Sequence, residues 1–517
     1  MSWFRLELSQ RRFFWLVVGG LLVVIFASHL AGFLQNSAQA VYSGARYFRV
    51  GDLFGYFSFM EQARQGAWSF FNLYSILPQQ PYFIHPLWLV LGKLGAWTGF
   101  SNLVIYLLAQ AALIVIFLFG WWNFIGSLVE QQKLRRFLFI FSLISGGLAP
   151  TWLHEVSTFL ILYVNPLFVL ALICFLAIIW SSFLTMVSGF SWKISLWGGT
   201  AGLFLMLNHF YDLIGLIFIL IAFLVWLMIV NGRWGDYLKH LLVVGGLIMP
   251  GVIYYGYIFT AIPALAAWAK DNVTLSPGPW FYLKSYGLLL PLGLAGIWWL
   301  LRQKKWLIDR VKGQWLIIWL VVQLALLYSP ILFNRRFALG ASLPLTLLAG
   351  LVFWQLLQVQ WAPNLKKLMI VAIGCGLLAG NAIMIIFDFI PLNHFFSPNQ
   401  IQALRWLRDN SQPKSLILAN MVSWDTIISG VTGRFSFVAG GYATSSGEQD
   451  WRFKFIRYFY QSNQDLPEKL KLLKSFGVNY VWFGPVEKKL GTFDPNQAPW
   501  LKLVFQSGVE KIYQIEK

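Results

Sequence analysis

Charge is what this 517-residue sequence has least of. Asp, Glu, Lys and Arg together make up 11% of it, against about 25% in soluble globular domains. With 58% hydrophobic residues and a mean hydropathy of +0.64, this scarcity excludes a soluble protein and describes a polytopic membrane protein. Cysteine is nearly absent as well. Cys174 and Cys375 lie in apolar runs without a partner motif, so two core thiols are expected and a disulfide framework is not. Neither Asp-x-Asp nor HExxH occurs in the chain, and no metal or other cofactor is assigned. Internal repeats and low-complexity linkers are missing too. After MSWFRLELSQRR no small-residue cleavage site appears, so the first apolar run reads as a retained span.

Acidic residues are outnumbered 20 to 39 by Lys and Arg, a net charge of +19. Nucleic acid is one reading of such an excess, but the basic residues stand in short clusters between apolar runs, as cytoplasmic loops do. Nucleic acid is therefore not an expected partner. A run of roughly 17–25 apolar residues can cross a bilayer as a helix. About eleven such runs are expected, near 13–34, 102–127, 136–149, 160–187, 194–208, 212–231, 241–266, 284–301, 314–330, 338–358 and 368–390. If they alternate, Arg11–Arg12, Lys133 to Arg136, Lys193, Arg233 and Lys239, Arg302 to Lys305, and Lys366–Lys367 share one side. That side is expected to be cytoplasmic, with the N-terminus. The long loop 35–101, the shorter loops at 150–159, 209–211, 267–283 and 331–337, and everything after about 391 then face outward.

The domain division expected is 1–391 for the membrane part and 392–517 for a small extracytoplasmic α/β domain. The latter begins with an amphipathic helix pattern and the short strand SLILA. FSFVAG, the helical DLPEKLKLLKSFG, the strand NYVWFG and a final hairpin, LKLVFQSGVEKIYQIE, follow.

Ionisable groups near the membrane are costly and are functional candidates by default. Setting aside carboxylates beside cytoplasmic clusters leaves Asp52, Glu61, Glu155, Asp212, Asp271 and Asp388 toward the outer side. Asp52 opens GDLFGYFSFMEQAR, where polar or small residues at 51, 55, 58, 62 and 65 recur at helical spacing. This predicts a helix lying along the interface, with a second one in WSFFNLYSILPQQPYFIHPLWLVLGKLG. Asp52 is either its N-cap or a reactive carboxylate, and a long ordered loop favours function. Arg49 and Arg64 flank it as possible anion attractors. Glu155, beside His154, reads as structural or substrate-orienting. His209, Tyr211 and Asp212 break two apolar runs, as a turn with a capping Asp or as the lining of a polar cavity. Arg335 and Arg336 suit either lipid head groups or a phosphate held by paired guanidiniums.

These pieces resemble the GT-C superfamily of integral-membrane glycosyltransferases, particularly bacterial members related to protein O-mannosyltransferases and the aminoarabinose transferase. GDLFGY (51–56), YFIHPL (82–87), NHFYD (208–212), NRRF (334–337) and a trailing WLRDN (406–410) carry the resemblance. It implies inverting transfer of a sugar from a polyprenyl-phosphate donor to a lipid, glycan or protein acceptor at the outer face of the cell membrane. Asp52 would be the general base and Arg335 and Arg336 would hold the donor phosphate. Tyr56, His85, Glu155, His209, Tyr211 and Asp212 are the remaining substrate-binding candidates. Because the leaving group is already a phosphate, cations are required and a second carboxylate is not, unlike in a glycoside hydrolase. The departures are the missing Asp-x-Asp and Leu53, which stands after Asp52 where protein mannosyltransferases have a second acid. A membrane transporter or flippase of a lipid-linked or anionic envelope precursor is the competing reading, and a non-catalytic assembly protein is a further one. A midplane Asp212 would favour transport.

Overall fold

A computed structural model describes residues 8–46, 50–147, 153–302, 307–360, 362–390, 395–420, 427–437 and 446–516. Backbone amides in hydrocarbon must be satisfied within their own segment, and an apolar run achieves this as a helix. Each of the eleven expected spans overlaps a helix, the 136–149 run only as far as Ile144, with its last two residues outside those described. Among the described residues, seven helices are long and apolar enough to cross a membrane. The pair Pro279–Tyr286 and Leu289–Arg302, bent by 88°, is an eighth if the two form one span. The protein is thus a helical polytopic membrane protein with a small sheet near its C-terminus.

The chain divides into two compact units, 1–28 with 107–254 and 273–389, and 29–106 with 255–272 and 390–517. In the first, Trp192–Ile229 contains both the 194–208 and 212–231 runs, and His209 inside it has non-helical φ −151°, ψ 66°. Ring contacts show what happens there. Trp197 meets Trp180, while Phe223 stacks on Trp315, which meets Phe183. Both halves therefore flank the same turn of Pro166–Ser188, and the chain folds back at His209. Gly198 permits the close packing, since a Cβ there would sit 2.3 Å from Ser181 Oγ. The expected 160–187 span is interrupted: Thr158–Val164 ends at extended Asn165, whose side chain accepts from the Phe168 amide and caps the next helix. Pro166 follows at the first helical position, where no amide is needed. Cys174 is buried as expected, but Cys375 is exposed on the thinly covered helix Pro363–Asp388.

In the second unit, strands β1 (Val41–Tyr42) and β2 (Phe395–Phe396) pair antiparallel. A five-stranded sheet has the order β4-β3-β5-β7-β6, from β3 (Leu416–Leu418), β4 (Phe435–Ser436), β5 (Val478–Phe483), β6 (Leu501–Ser507) and β7 (Glu510–Ile515). The first three strands run parallel and the β6–β7 hairpin closes antiparallel on β5. Ile456, Phe459, Tyr460 and Leu473 from the helices Ser446–Gln461 and Leu466–Phe476 cover it. All four strand segments and the helix expected from DLPEKLKLLKSFG are present, whereas Ser446–Gln461 was not expected.

The helix Val50–Arg64 is found where its periodicity predicts it, but it does not lie on a surface. Residues 53–58 and 60–63 are all buried. Its polar stripe meets protein: Gln62 donates to the Phe71 carbonyl and accepts from the Phe71 amide, and Gln65 bonds Glu61 and the Thr432 carbonyl. Helical spacing identifies a polar face without saying what covers it. The second expected interfacial helix is shortened to Pro86–Thr98. Residues 67–85 before it are non-helical, held by a Phe70–Tyr82 bridge. At Gly92 a Cβ would stand 2.3 Å from the Met60 carbonyl oxygen, so glycine lets this helix lie directly on Val50–Arg64.

Candidate functional site

Two polar clusters contain the candidate residues, one in each unit. In the first unit the short 3-10 turn Asn334–Ala338 carries both arginines. Asn334 pins it by accepting from the Ser276 amide at 2.7 Å and donating to the Ser329 carbonyl at 2.8 Å. Backbone bonds from Thr274 to Leu332 and from Arg335 to Thr274 complete the brace. So held, Arg336 donates to Glu155 Oε1 at 3.2 Å. Its guanidinium also stands 5.8 Å from the centre of the Tyr211 ring. Glu155 is almost wholly buried, and a carboxylate there requires such a partner.

Beside this pair, at the reversal of Trp192–Ile229, His209 Nδ1 lies 2.7 Å from Asp212 Oδ2. Asp212 is within electrostatic reach of Arg336 and Glu155, so the four groups form one network. Asp212 Oδ1 is buried and has no hydrogen-bond partner among the described residues. Tyr211 packs edge-on against Phe333, and His209 against Phe168. Arg335 is half-buried and acts electrostatically on Tyr282. Thus Glu155, His209, Tyr211, Asp212, Arg335 and Arg336, drawn from three separate stretches of sequence, come together. The His154 side chain lies outside the described residues. Among those described, no group of three His, Cys, Asp or Glu could hold a metal ion.

In the second unit Asp52 sits half-buried in the first turn of Val50–Arg64. Tyr56, one turn on, is buried and stacks on Trp88 at 4.5 Å, and Trp88 stacks on Tyr106 at 6.0 Å. Tyr106 in turn feels the charges of Arg46 and Asp52. His85 adopts left-handed φ 51° ahead of Pro86–Thr98 and faces the Phe59 ring at 5.7 Å. A non-glycine residue in that region carries strain, so surrounding contacts must hold it there. Arg64 donates to the Phe100 and Gly99 carbonyls, and Arg49 lies outside the described residues.

Three arrangements escaped sequence reasoning. Arg46 Nε donates to His29 Nε2 at 3.1 Å, and His29 Nδ1 lies 2.7 Å from the Tyr42 hydroxyl. In this arrangement His29 Nε2 is the acceptor toward the guanidinium. A lone histidine inside an apolar span was the available signal. Tyr163 donates to Asp388 at 2.7 Å, and Glu61 accepts from Asn102 and Gln65, which gives these two buried carboxylates polar partners.

No family profile and no curated protein matches this chain by sequence. Solved structures do resemble it. The archaeal oligosaccharyltransferase AglB from Archaeoglobus fulgidus, solved with an inhibitory peptide and a dolichol-phosphate, matches with a TM-score of 0.55 and 13% identity, over 93% of this chain and 70% of its own. Arabinofuranosyltransferase AftD from Mycobacteria matches at 0.54 and 13% over 96% of this chain, which spans 40% of that larger protein. ArnT from Cupriavidus metallidurans, in the apo state, matches at 0.50 and 12%, over 96% of this chain and 98% of its own. The fold is that of GT-C membrane glycosyltransferases.

Proposed function

We propose that this protein is a membrane glycosyltransferase that moves a sugar from a polyprenyl-phosphate donor to an acceptor at the outer face of the cell membrane. The observation that carries this reading is the fold, shared over nearly the whole chain with three glycosyltransferases. One of them was solved with a dolichol-phosphate, an anionic lipid of the class proposed as donor here. In this reading Asp52 is the general base that takes the acceptor proton, and the sugar is transferred with inversion. Its half-buried position suits a group that must meet both substrate and solvent. Arg335 and Arg336 hold the donor phosphate, while Glu155, His209, Tyr211 and Asp212 orient them and the sugar. Tyr56 and His85 shape the ground around Asp52 through the Trp88 and Phe59 rings. The fold-back at His209 puts Asp212 at a turn joining two span-length halves, which supports transfer over a midplane transport site.

The test is reconstitution of the protein in liposomes with a pool of labelled polyprenyl-phosphate sugars and an envelope lipid and glycan extract. Loss of label from one donor and its appearance on an acceptor is expected. No transfer from any donor in the pool would overturn the reading.

A further inference from the structure

Behind the helix that carries Asp52, within the second unit, lies an open cavity of about 380 Å³. One helical turn is 3.6 residues, so Phe54, Phe57, Glu61 and Arg64 share the face of Val50–Arg64 opposite Asp52, and all four line this cavity. Its apolar walls include Phe33 and Leu103. Phe33 lies in the last turn of the span candidate Leu8–Leu34 and Leu103 in the first turn of the span candidate Asn102–Leu128. The cavity is thus at the level where two membrane helices end, the depth at which hydrocarbon gives way to head groups.

Its charges are asymmetric. Arg64, Arg405 and Arg408 line it against one carboxylate, Glu61, and Glu61 is buried and committed to Asn102 and Gln65. Arg405 and Arg408 project from one face of Pro398–Asn410, three residues apart. Arg408 is held by Asp409, while Arg405 is exposed and has no hydrogen-bond or ion-pair partner among the described residues. Apolar rings on the membrane side and the exposed Arg405 guanidinium beside them, with Arg408 one turn on, match an amphiphile with an anionic head.

We infer that this cavity binds an anionic membrane phospholipid, its phosphate at Arg405 and Arg408 and the start of its acyl chains against Phe33 and Leu103. This site is separate from the Asp52 face and goes beyond the proposed transfer reaction. The lipid would pack against the rear of the helix that carries Asp52. A soluble phosphate would meet the same guanidiniums but leave the apolar wall uncovered, and this distinguishes the two sources.

Native mass spectrometry of the full-length protein in detergent, titrated with phosphatidylglycerol, phosphatidylcholine or glycerol 3-phosphate, tests the inference. Phosphatidylglycerol should bind at least tenfold more tightly than the other two. Arg405→Glu with Arg408→Glu should abolish that preference, and Ile401→Trp, which fills the cavity without changing charge, should weaken binding of the lipid likewise. Lys471→Glu, on the helix Leu466–Phe476, should leave it unchanged. Equal binding of phosphatidylcholine, equal binding of glycerol 3-phosphate, or undiminished phosphatidylglycerol binding by either folded cavity variant would overturn the inference. Unaltered melting temperatures identify the variants that are folded.

Discussion

The two polar clusters hold their carboxylates in different ways. Glu155 in the first unit is wholly buried and stands opposite a guanidinium, with a second acid, Asp212, held by His209 beside it. Asp52 in the second unit is half-buried, one turn before the stacked Tyr56 and Trp88 rings, on a helix whose other residues are mostly buried. A charge that is fully desolvated must be matched locally or it destabilises the fold. One that keeps contact with solvent can gain and lose a proton without that consequence. The first arrangement is therefore expected to support structure and function together, and the second function alone.

The largest effect should come from separating the buried pair. Arg336→Ala leaves Glu155 without its cation and should cost about 3–5 kcal/mol, read as a fall in melting temperature in detergent. Combining it with Glu155→Leu should restore most of the stability while transfer stays lost. Restored transfer would show that the pair is structural only. Asp52→Asn should behave in the opposite way. Transfer should fall by roughly 10²–10⁴-fold, the usual contribution of a general base, with stability changed by less than about 1 kcal/mol. If Asp52→Asn instead melts like Arg336→Ala, the contrast between the clusters is broken.

A third carboxylate sharpens the comparison because it is buried with no cationic partner among the described residues. Glu487 accepts from the Asn420 amide at 2.8 Å and the Gly484 amide at 2.9 Å, yet burial still pushes its carboxyl up to about 7, with nearby Glu510 adding to the rise. The folded domain therefore keeps a proton that the unfolded chain releases above its ordinary value. The associated stability is full at low pH and is lost as pH climbs from about 4.5 to about 7. Hydrogen-exchange protection of Val478–Phe483, corrected for intrinsic rates, should fall by up to about 3 kcal/mol across that window. Glu487→Gln should flatten the dependence. The smallest effect is expected from Ser397→Ala, which removes the capping box of Pro398–Asn410 at a cost of about 1 kcal/mol. Equal loss from Ser397→Ala and Arg336→Ala would mean that burial of charge is not what separates these sites.

Much of the fold was legible because apolar runs and strand alternation are local properties. The spans, the break at His209, and the strands β3 to β7 all follow from the order of residues over a few turns. The clustering of Glu155, Arg336 and Asp212 was not legible. These residues are remote in sequence, and their meeting depends on the Asn334 brace and the reversal at His209. Arg46 on His29 and Tyr163 on Asp388 were hidden for the same reason. The polar stripe on Val50–Arg64 was read correctly as a stripe and wrongly as a surface, since periodicity reports a difference between faces without identifying the neighbour of either.

By itself the sequence determined that this chain is a membrane protein, because so few charges and so many apolar runs leave water no large surface to solvate. It also set where helices begin and end, through residues such as Asn165, Pro166 and Ser397 that complete or replace backbone bonds at their own positions. Only the tertiary structure decided which carboxylates are matched by cations, which face of the Asp52 helix is closed and which opens onto a cavity. Those outcomes depend on contacts between segments hundreds of residues apart, and desolvation acts on a charge only once such a neighbour has displaced its water.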